Sequence, residues 1–158
     1  MLFVGITLVS NGLNRFLNTD AKSTAIMNFF TGFILVIGNI IMLAKAVDII
    51  EYQNVASGFL FGITYLFIAA NYLFKLDLRP FGLFSLFVAV YAVIMAVSSY
   101  GVDIRFVLLW GAWAALWLEG FLELVLKIKL DKLFPYLSIA VGLFAAFIPA
   151  IFMLTGKW

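Results

Sequence analysis

Of the 158 residues, 66% are hydrophobic and 11% are charged, 8 acidic side chains standing against 10 basic ones, whereas a water-soluble domain usually carries about 25% charge. The chain is built for lipid: a net charge of +2 leaves no polybasic nucleic-acid surface, no disordered tail, and too little polar material to cover a soluble globule. Cysteine and histidine are both absent, which excludes disulfides, thiol chemistry, thiolate or imidazole metal sites, a Ser-His-Asp triad and a histidine pH sensor. No catalytic residue, metal site or cofactor is expected, so function falls to aromatics, hydroxyls, amides and three glutamates.

A transmembrane helix needs about 20 mostly apolar residues, so charges punctuate the chain and the gaps between them measure the spans. Residues 23–44, 52–74, 80–102 and 133–156 carry no charge, and 106–126 carries only Glu119 and Glu123. With the shorter N-terminal stretch from Leu2, the pattern predicts helices over about 2–18, 23–47, 53–74, 80–99, 103–127 and 133–154. The expected fold is all-α: one integral membrane domain over 1–158, a bundle of six transmembrane helices. The first stretch has neither a basic n-region nor a small-residue cleavage pattern before Asn18-Thr19-Asp20, so it reads as a retained helix rather than a signal peptide. The connections leave no room for a soluble domain or a catalytic lid.

Basic residues set the orientation. The connections after helices 1, 3 and 5 hold Arg15, Lys22, Lys75, Arg79, Lys127, Lys129 and Lys132, and the other side holds Lys45, Arg105 and Lys157. That asymmetry places loops 1, 3 and 5 in the cytoplasm and both termini outside. The same three turns resemble one another, with Asn11 before Asp20 and Lys22, Asn71 before Asp77 and Arg79, and Glu123 before Asp131 and Lys132. Two readings stand: three helical hairpins repeated around a central path, or ordinary helix-start acids and inside-face bases.

Along helix 5, Phe106, Trp110, Trp113 and Trp117 fall within about 60° of arc while rising about 16 Å, with Leu116 alongside. Phe61 and Tyr65 form an i,i+4 pair on helix 3, with Thr64 beside them. Indoles that anchor a protein to headgroups sit at the ends of a span, and these run toward its middle. They either pack the bundle or line a slot. Flat rings facing across a slot would pass a planar neutral solute, while an ion stripped of water there would meet no compensating charge. Gly58 and Gly62, Gly111 and Ala115, and Gly142 and Ala146 are small-residue steps that let backbones approach, and Pro149 is expected to kink helix 6.

Asn11, Asn71, Glu119 and Glu123 are polar groups at membrane depth, where such groups are costly. Glu123, near the cytoplasmic end, reads as a structural hydrogen-bonding group. Glu119 is deeper and lies nearly opposite the Trp stripe; it keeps a proton-coupled carrier open as an alternative, although no second membrane-embedded ionisable group stands as its relay partner. Two carboxylates one turn apart match an acid/base pair only in spacing, with no nucleophile or metal site beside them. A third reading is a non-conducting assembly subunit whose aromatics only pack.

Several segments taken in order resemble the AmiS/UreI family of urea and amide channels. They are Leu8-Val-Ser-Asn-Gly12, the run from Lys22 to Phe30, the run from Leu60 to Leu66, Leu76-Asp-Leu-Arg-Pro80, Ser85-Leu-Phe-Val-Ala89, the Trp110/Trp113/Trp117 spacing, Leu126-Lys-Ile128 and Ile148-Pro-Ala150. The resemblance implies a six-helix protomer of three hairpins around its own pore, a homo-hexameric ring with lipid at its centre, and passive conduction of urea or short aliphatic amides. It also implies constriction residues at Leu8, Phe61, Tyr65, Trp110, Trp113, Leu116 and Trp117. Phe106 stands where the acid-gated urea channel has a further Trp, and Val141 stands where the family has a glutamate, a role expected of Glu119, which lies at similar depth. With no histidine and short outer connections, acid gating has no sensor. The expected protein is an ungated facilitator in a prokaryotic plasma membrane, not an enzyme, feeding a cytoplasmic urease or amidase, with lipid and no nucleic acid among its partners.

Overall fold

Asp20, Asp48 and Asp103 each cap the helix that follows them in the computed structural model, which describes residues 1–130 and 132–158. Asp20 accepts the Ser23 backbone N–H at 2.9 Å and opens α2, Ala21–Leu43. Asp48 accepts from Glu51 N at 2.8 Å, and Glu51 reaches back to accept from Val47 N at 2.7 Å, a reciprocal arrangement akin to a capping box. That pair opens α3, Ile49–Phe74, earlier than hydropathy suggests, and leaves α2 to end at Leu43 instead of running to 47. Asp103 accepts from Arg105 N at 2.9 Å and opens α5, Ile104–Leu124. Pro80 stands in the first turn of α4, Arg79–Ser99, where its missing N–H has no intrahelical partner to lose. α1, Leu2–Leu17, ends on a left-handed Asn18, and α3 on a left-handed Lys75. α5 stops at Leu124, short of 127, and Lys127 turns the chain with φ 58°. The Asp131 element of the expected repeat lies outside the described residues.

The last span, α6, runs Leu133–Leu154 and contains one wide π turn at Leu143–Phe147. Its cause is the residue two places on. Pro149 has no N–H for the carbonyl of Ala145 and its ring would crowd that oxygen, so the ladder widens by one residue just ahead of it, with Ile148 N–H bonding to Leu143 O.

Five of these helices are long and apolar enough to cross a membrane, and α1 is a shorter apolar helix. Phe87, Val97, Leu108 and Phe144 are 74%, 69%, 67% and 68% exposed, which water would penalise and acyl chains do not. The chain is an all-α, six-helix, multi-pass membrane protein.

Two compact units make up the described chain, Thr19–Leu76 and Met1–Asn18 with Asp77–Trp158. In the first, α2 and α3 run antiparallel in close contact. A Cβ at Gly32 would stand 2.8 Å from Leu66 N, and one at Gly62 2.8 Å from Val36 Cγ2, while the carboxamide of Asn39 fills the space over Gly58. In the second, α4 packs on α5, with Gly82 against Val125, and α1 packs on α6. A Cβ at Gly5 would lie 2.7 Å from Gly142 O, and one at Gly12 2.7 Å from Pro135 O. α5 touches α6 over fewer positions than α1 does. The Gly58/Gly62 and Gly142/Ala146 steps lie at such contacts. Gly111 does not: nothing stands within 4 Å of a Cβ there and Ala115 is exposed, so that step faces outward.

Candidate functional site

The sequence-derived residues divide between the two units. The α2–α3 unit carries Phe61, Thr64, Tyr65 and Asn71; the other carries Leu8, Asn11, Phe106, Trp110, Trp113, Leu116, Trp117, Glu119 and Glu123.

On α3, Tyr65 is 1% exposed, Thr64 is buried one residue before it, and Phe61 and Asn71 are half-buried. The Thr64 hydroxyl donates to its own helix at Leu60 O, 2.8 Å away. Its proton is therefore committed, and the oxygen keeps only acceptor capacity toward a solute. Asn71 contributes its backbone carbonyl to the C-cap, accepting from Lys75 N at 2.8 Å.

On α5, Trp113 and Trp117 are buried, 3% and 6% exposed, with ring centroids 5.5 Å apart at 39°. Trp110, one turn earlier, meets Tyr91 of α4 edge-on at 6.0 Å and 85°. Phe106 packs against Trp158 at 5.3 Å and 51°. Tyr91 and Trp158 were not among the residues singled out from the sequence. α4 is apolar on all sides, so periodicity gave Tyr91 no preferred face, and Trp158 lies beyond the last span. The i,i+3 and i,i+4 spacing of the indoles did mark the rest.

Leu8 is buried, and its carbonyl accepts a hydrogen bond from Ser138 Oγ of α6 at 2.8 Å. The contact is close because α6 presents Gly142 there, where a Cβ would stand 2.9 Å from Leu8 Cβ. Asn11, on the same face one turn on, is also buried, as is Val141. Glu123 is part of a tie between helices: Arg15 Nη1 donates to Glu123 Oε1 at 3.4 Å, and the Arg15 guanidinium lies over the Phe134 ring at 4.6 Å. Glu119 is 3% exposed, and neither carboxylate oxygen has a hydrogen-bond partner among the described residues.

The charged groups collect at helix ends. Asp77 lies beside the Arg79 guanidinium, whose Nε donates to Oδ2 at 2.9 Å, and this holds the Asp77 carboxyl down at about 2. Asp103 is lowered in the same way by Arg105, and Asp20 by the backbone and hydroxyl of Ser23. No group of three or more His, Cys, Asp or Glu able to hold a metal ion occurs among the described residues. The stripe itself offers indole and phenyl faces without a formal charge. Such a surface receives a flat, neutral molecule well and an ion badly.

Fold and side chains together define a polytopic helical membrane protein with a ladder of aromatic rings up one span. The AmiS/UreI family transporter profile matches residues 1–157. The chain belongs to that family, a family of transporters and not of enzymes. It is 36% identical over 189 aligned residues to the acid-activated urea channel of Helicobacter pylori, covering 100% of this chain and 97% of that protein. The alignment is longer than this chain, so the relative carries insertions absent here. It is 33% identical over 162 residues to a putative transporter protein, AmiS2, of Rhodococcus erythropolis, covering 100% of this chain and 79% of the relative. The crystal structure of the Helicobacter pylori urea channel superposes with a TM-score of 0.90 at 38% identity, over 99% of this chain and 96% of that one.

Proposed function

We propose that this protein is a passive channel for urea and short aliphatic amides, with Trp110, Trp113 and Trp117 as the rings that select planar neutral solutes. The observation that carries the reading is the indole ladder at mid-span, uncharged along its face, in a chain similar from end to end to a urea channel. The whole of 1–158 acts as one six-helix channel domain; the residues assigned to conduction are Leu8 on α1, Phe61 and Tyr65 on α3, and Phe106 and Leu116 beside the indoles on α5. Flux is limited by removal of the solute's water. That loss is offset by contact of its faces with indoles, and of its edges with trapped water, the Tyr65 hydroxyl and the Thr64 oxygen, which accepts an amide N–H. No bond is broken.

Both termini lie outside a prokaryotic plasma membrane, six protomers form a ring, and the permeant feeds a cytoplasmic urease or amidase. With no histidine in the chain, the channel stays open at neutral pH. Glu119 takes the place of the family glutamate missing at Val141, one carboxyl exchanged between neighbouring helices. Asn11, Asn71 and Glu123 serve the structure: Glu123 ties α5 to Arg15 of α1.

The test is uptake of urea and acetamide by proteoliposomes at pH 7 and pH 5, with and without Trp113→Ala. Uptake above that of empty vesicles, linear in concentration, independent of a proton gradient and altered by Trp113→Ala, is expected. Vesicles no more permeable with the protein than without it refute the proposal. The buried carboxyl of Glu119, with that of Glu123 one turn on, favours one second reading, a proton-coupled carrier; saturable flux that collapses with the proton gradient identifies it.

A further inference from the structure

The chain beyond α6 folds back on the bundle. Gly156 N bonds to Met153 O at 3.3 Å and Lys157 N to Phe152 O at 2.8 Å, the paired bonds of a Schellman motif. Gly156 stands at φ +67°, where a side chain would be strained. This turn sends Trp158 over the first turn of α5, where its ring packs on Phe106 at 5.3 Å and the Arg105 guanidinium lies over it, 4.6 Å from the ring centroid. Arg105 is itself fixed. Its Nε donates to Asp103 Oδ1 at 2.9 Å and its Nη2 to Asp103 Oδ2 at 2.7 Å. The indole nitrogen of Trp158 is buried and faces the Asp103 carboxylate, which it helps to lower.

These contacts form a chain of restraint. Asp103 caps α5 and clamps Arg105; Arg105 and Phe106 hold the indole from two sides. Trp158 thereby adds a ring to the stripe beyond the first turn of α5. Cation–π contact and ring packing both favour this placement of the indole.

We infer that Trp158 is a specificity-determining ring at the mouth of the permeation path, with Arg105 and Asp103 as its positioning residues. This inference rests on the channel reading above. A solute travelling along the stripe passes Trp158 beside Phe106, so the indole narrows the entrance against wide molecules more than against urea. A Trp that merely anchors the helix end to headgroups would change folded yield or thermal stability and leave size selectivity alone.

The experiment is proteoliposome permeability to urea and to the wider 1,3-dimethylurea, for the full chain and for Trp158→Ala, Trp158→Phe and Arg105→Gln. Trp158→Ala is expected to raise the dimethylurea-to-urea ratio by on the order of tenfold, the low end of what a methyl-sized misfit is worth in a close apolar site. Trp158→Phe and Arg105→Gln should shift the ratio the same way by less, and these two carry the test should the alanine variant not fold. Wild-type vesicles that conduct urea while the folded variants keep the wild-type ratio overturn this inference alone. Wild-type vesicles that conduct no urea overturn the channel reading and this inference with it.

Discussion

Gly5→Ala, compared with Gly111→Ala, isolates the contact that seats α1 on α6. Both replacements stand inside helices and both gain the same intrinsic preference, about 1 kcal/mol for Ala over Gly. Their surroundings differ. A Cβ at Gly5 would lie 2.7 Å from Gly142 O, from Phe147 N and from Phe147 Cβ, whereas nothing lies within 4 Å at Gly111. Two of the atoms at Gly5 are backbone and cannot swing aside, so α1 must move off α6. Overpacking of this kind typically costs about 1–3 kcal/mol, and the difference between the two variants should fall in that range, with Gly5→Ala the less stable. In thermal unfolding of the purified protein in detergent, 1 kcal/mol is about 2–4 °C for a chain of this length. A gap of roughly 2–12 °C is expected. The same shift lifts Leu8, whose carbonyl is held by Ser138 and whose Cβ faces Gly142, so urea flux should change with it. A Gly5→Ala protein as stable as Gly111→Ala would refute the close packing of α1 on α6 and the fixed placement of Leu8.

The pH response follows from carboxylates at helix ends. Asp77 titrates at about 2, and Asp103 and Asp20 are lowered as well. A depressed carboxyl contributes stability that is complete above the unfolded value, near 3.9, and is lost only as pH falls through the folded value. These three carboxylates therefore add no pH dependence between pH 7 and pH 5, and urea flux should be flat there; a sharp rise in liposome swelling over that interval would contradict the ungated reading. Glu119→Gln is expected to lower folded yield or alter urea permeation if this buried carboxyl stands in for the glutamate absent at Val141. A variant normal in both respects removes Glu119 from any role in place of the glutamate absent at Val141.

The spans were legible because charge is excluded from hydrocarbon, so Lys22, Lys45, Lys75, Arg79 and Arg105 mark the breaks without any knowledge of packing. The caps were only partly legible. Asp48 with Glu51 starts α3 at Ile49, a local hydrogen-bond rule that overrides the hydropathy boundary at 53. The α5 stripe was visible because four rings share one narrow arc. Tyr91 and Trp158 were not: one sits on a helix without a polar face, and the other depends on the left-handed turn at Gly156. Small-residue steps mark a permitted approach, not an actual one. Gly58 and Gly142 lie against neighbours and Gly111 faces open space, a distinction set by tertiary packing alone.

The absence of cysteine from the chain makes a direct test of the central claim possible. Single cysteines at Phe61, Trp113 and Leu116, with Phe87→Cys as the lipid-facing reference at 74% exposure, can be treated in proteoliposomes with methyl methanethiosulfonate, a small neutral reagent whose sulfenyl sulfur is attacked by the thiolate, giving a methyl disulfide and releasing methanesulfinate. Thiolate forms in water and not in hydrocarbon. If the rings of α3 and α5 border a hydrated path, the three cysteines react, urea in the medium slows the reaction, and modification reduces urea flux, while Phe87→Cys stays unmodified. Cysteines at all three positions as unreactive as Phe87→Cys would mean the rings fill a solid interior, and the channel account would fall.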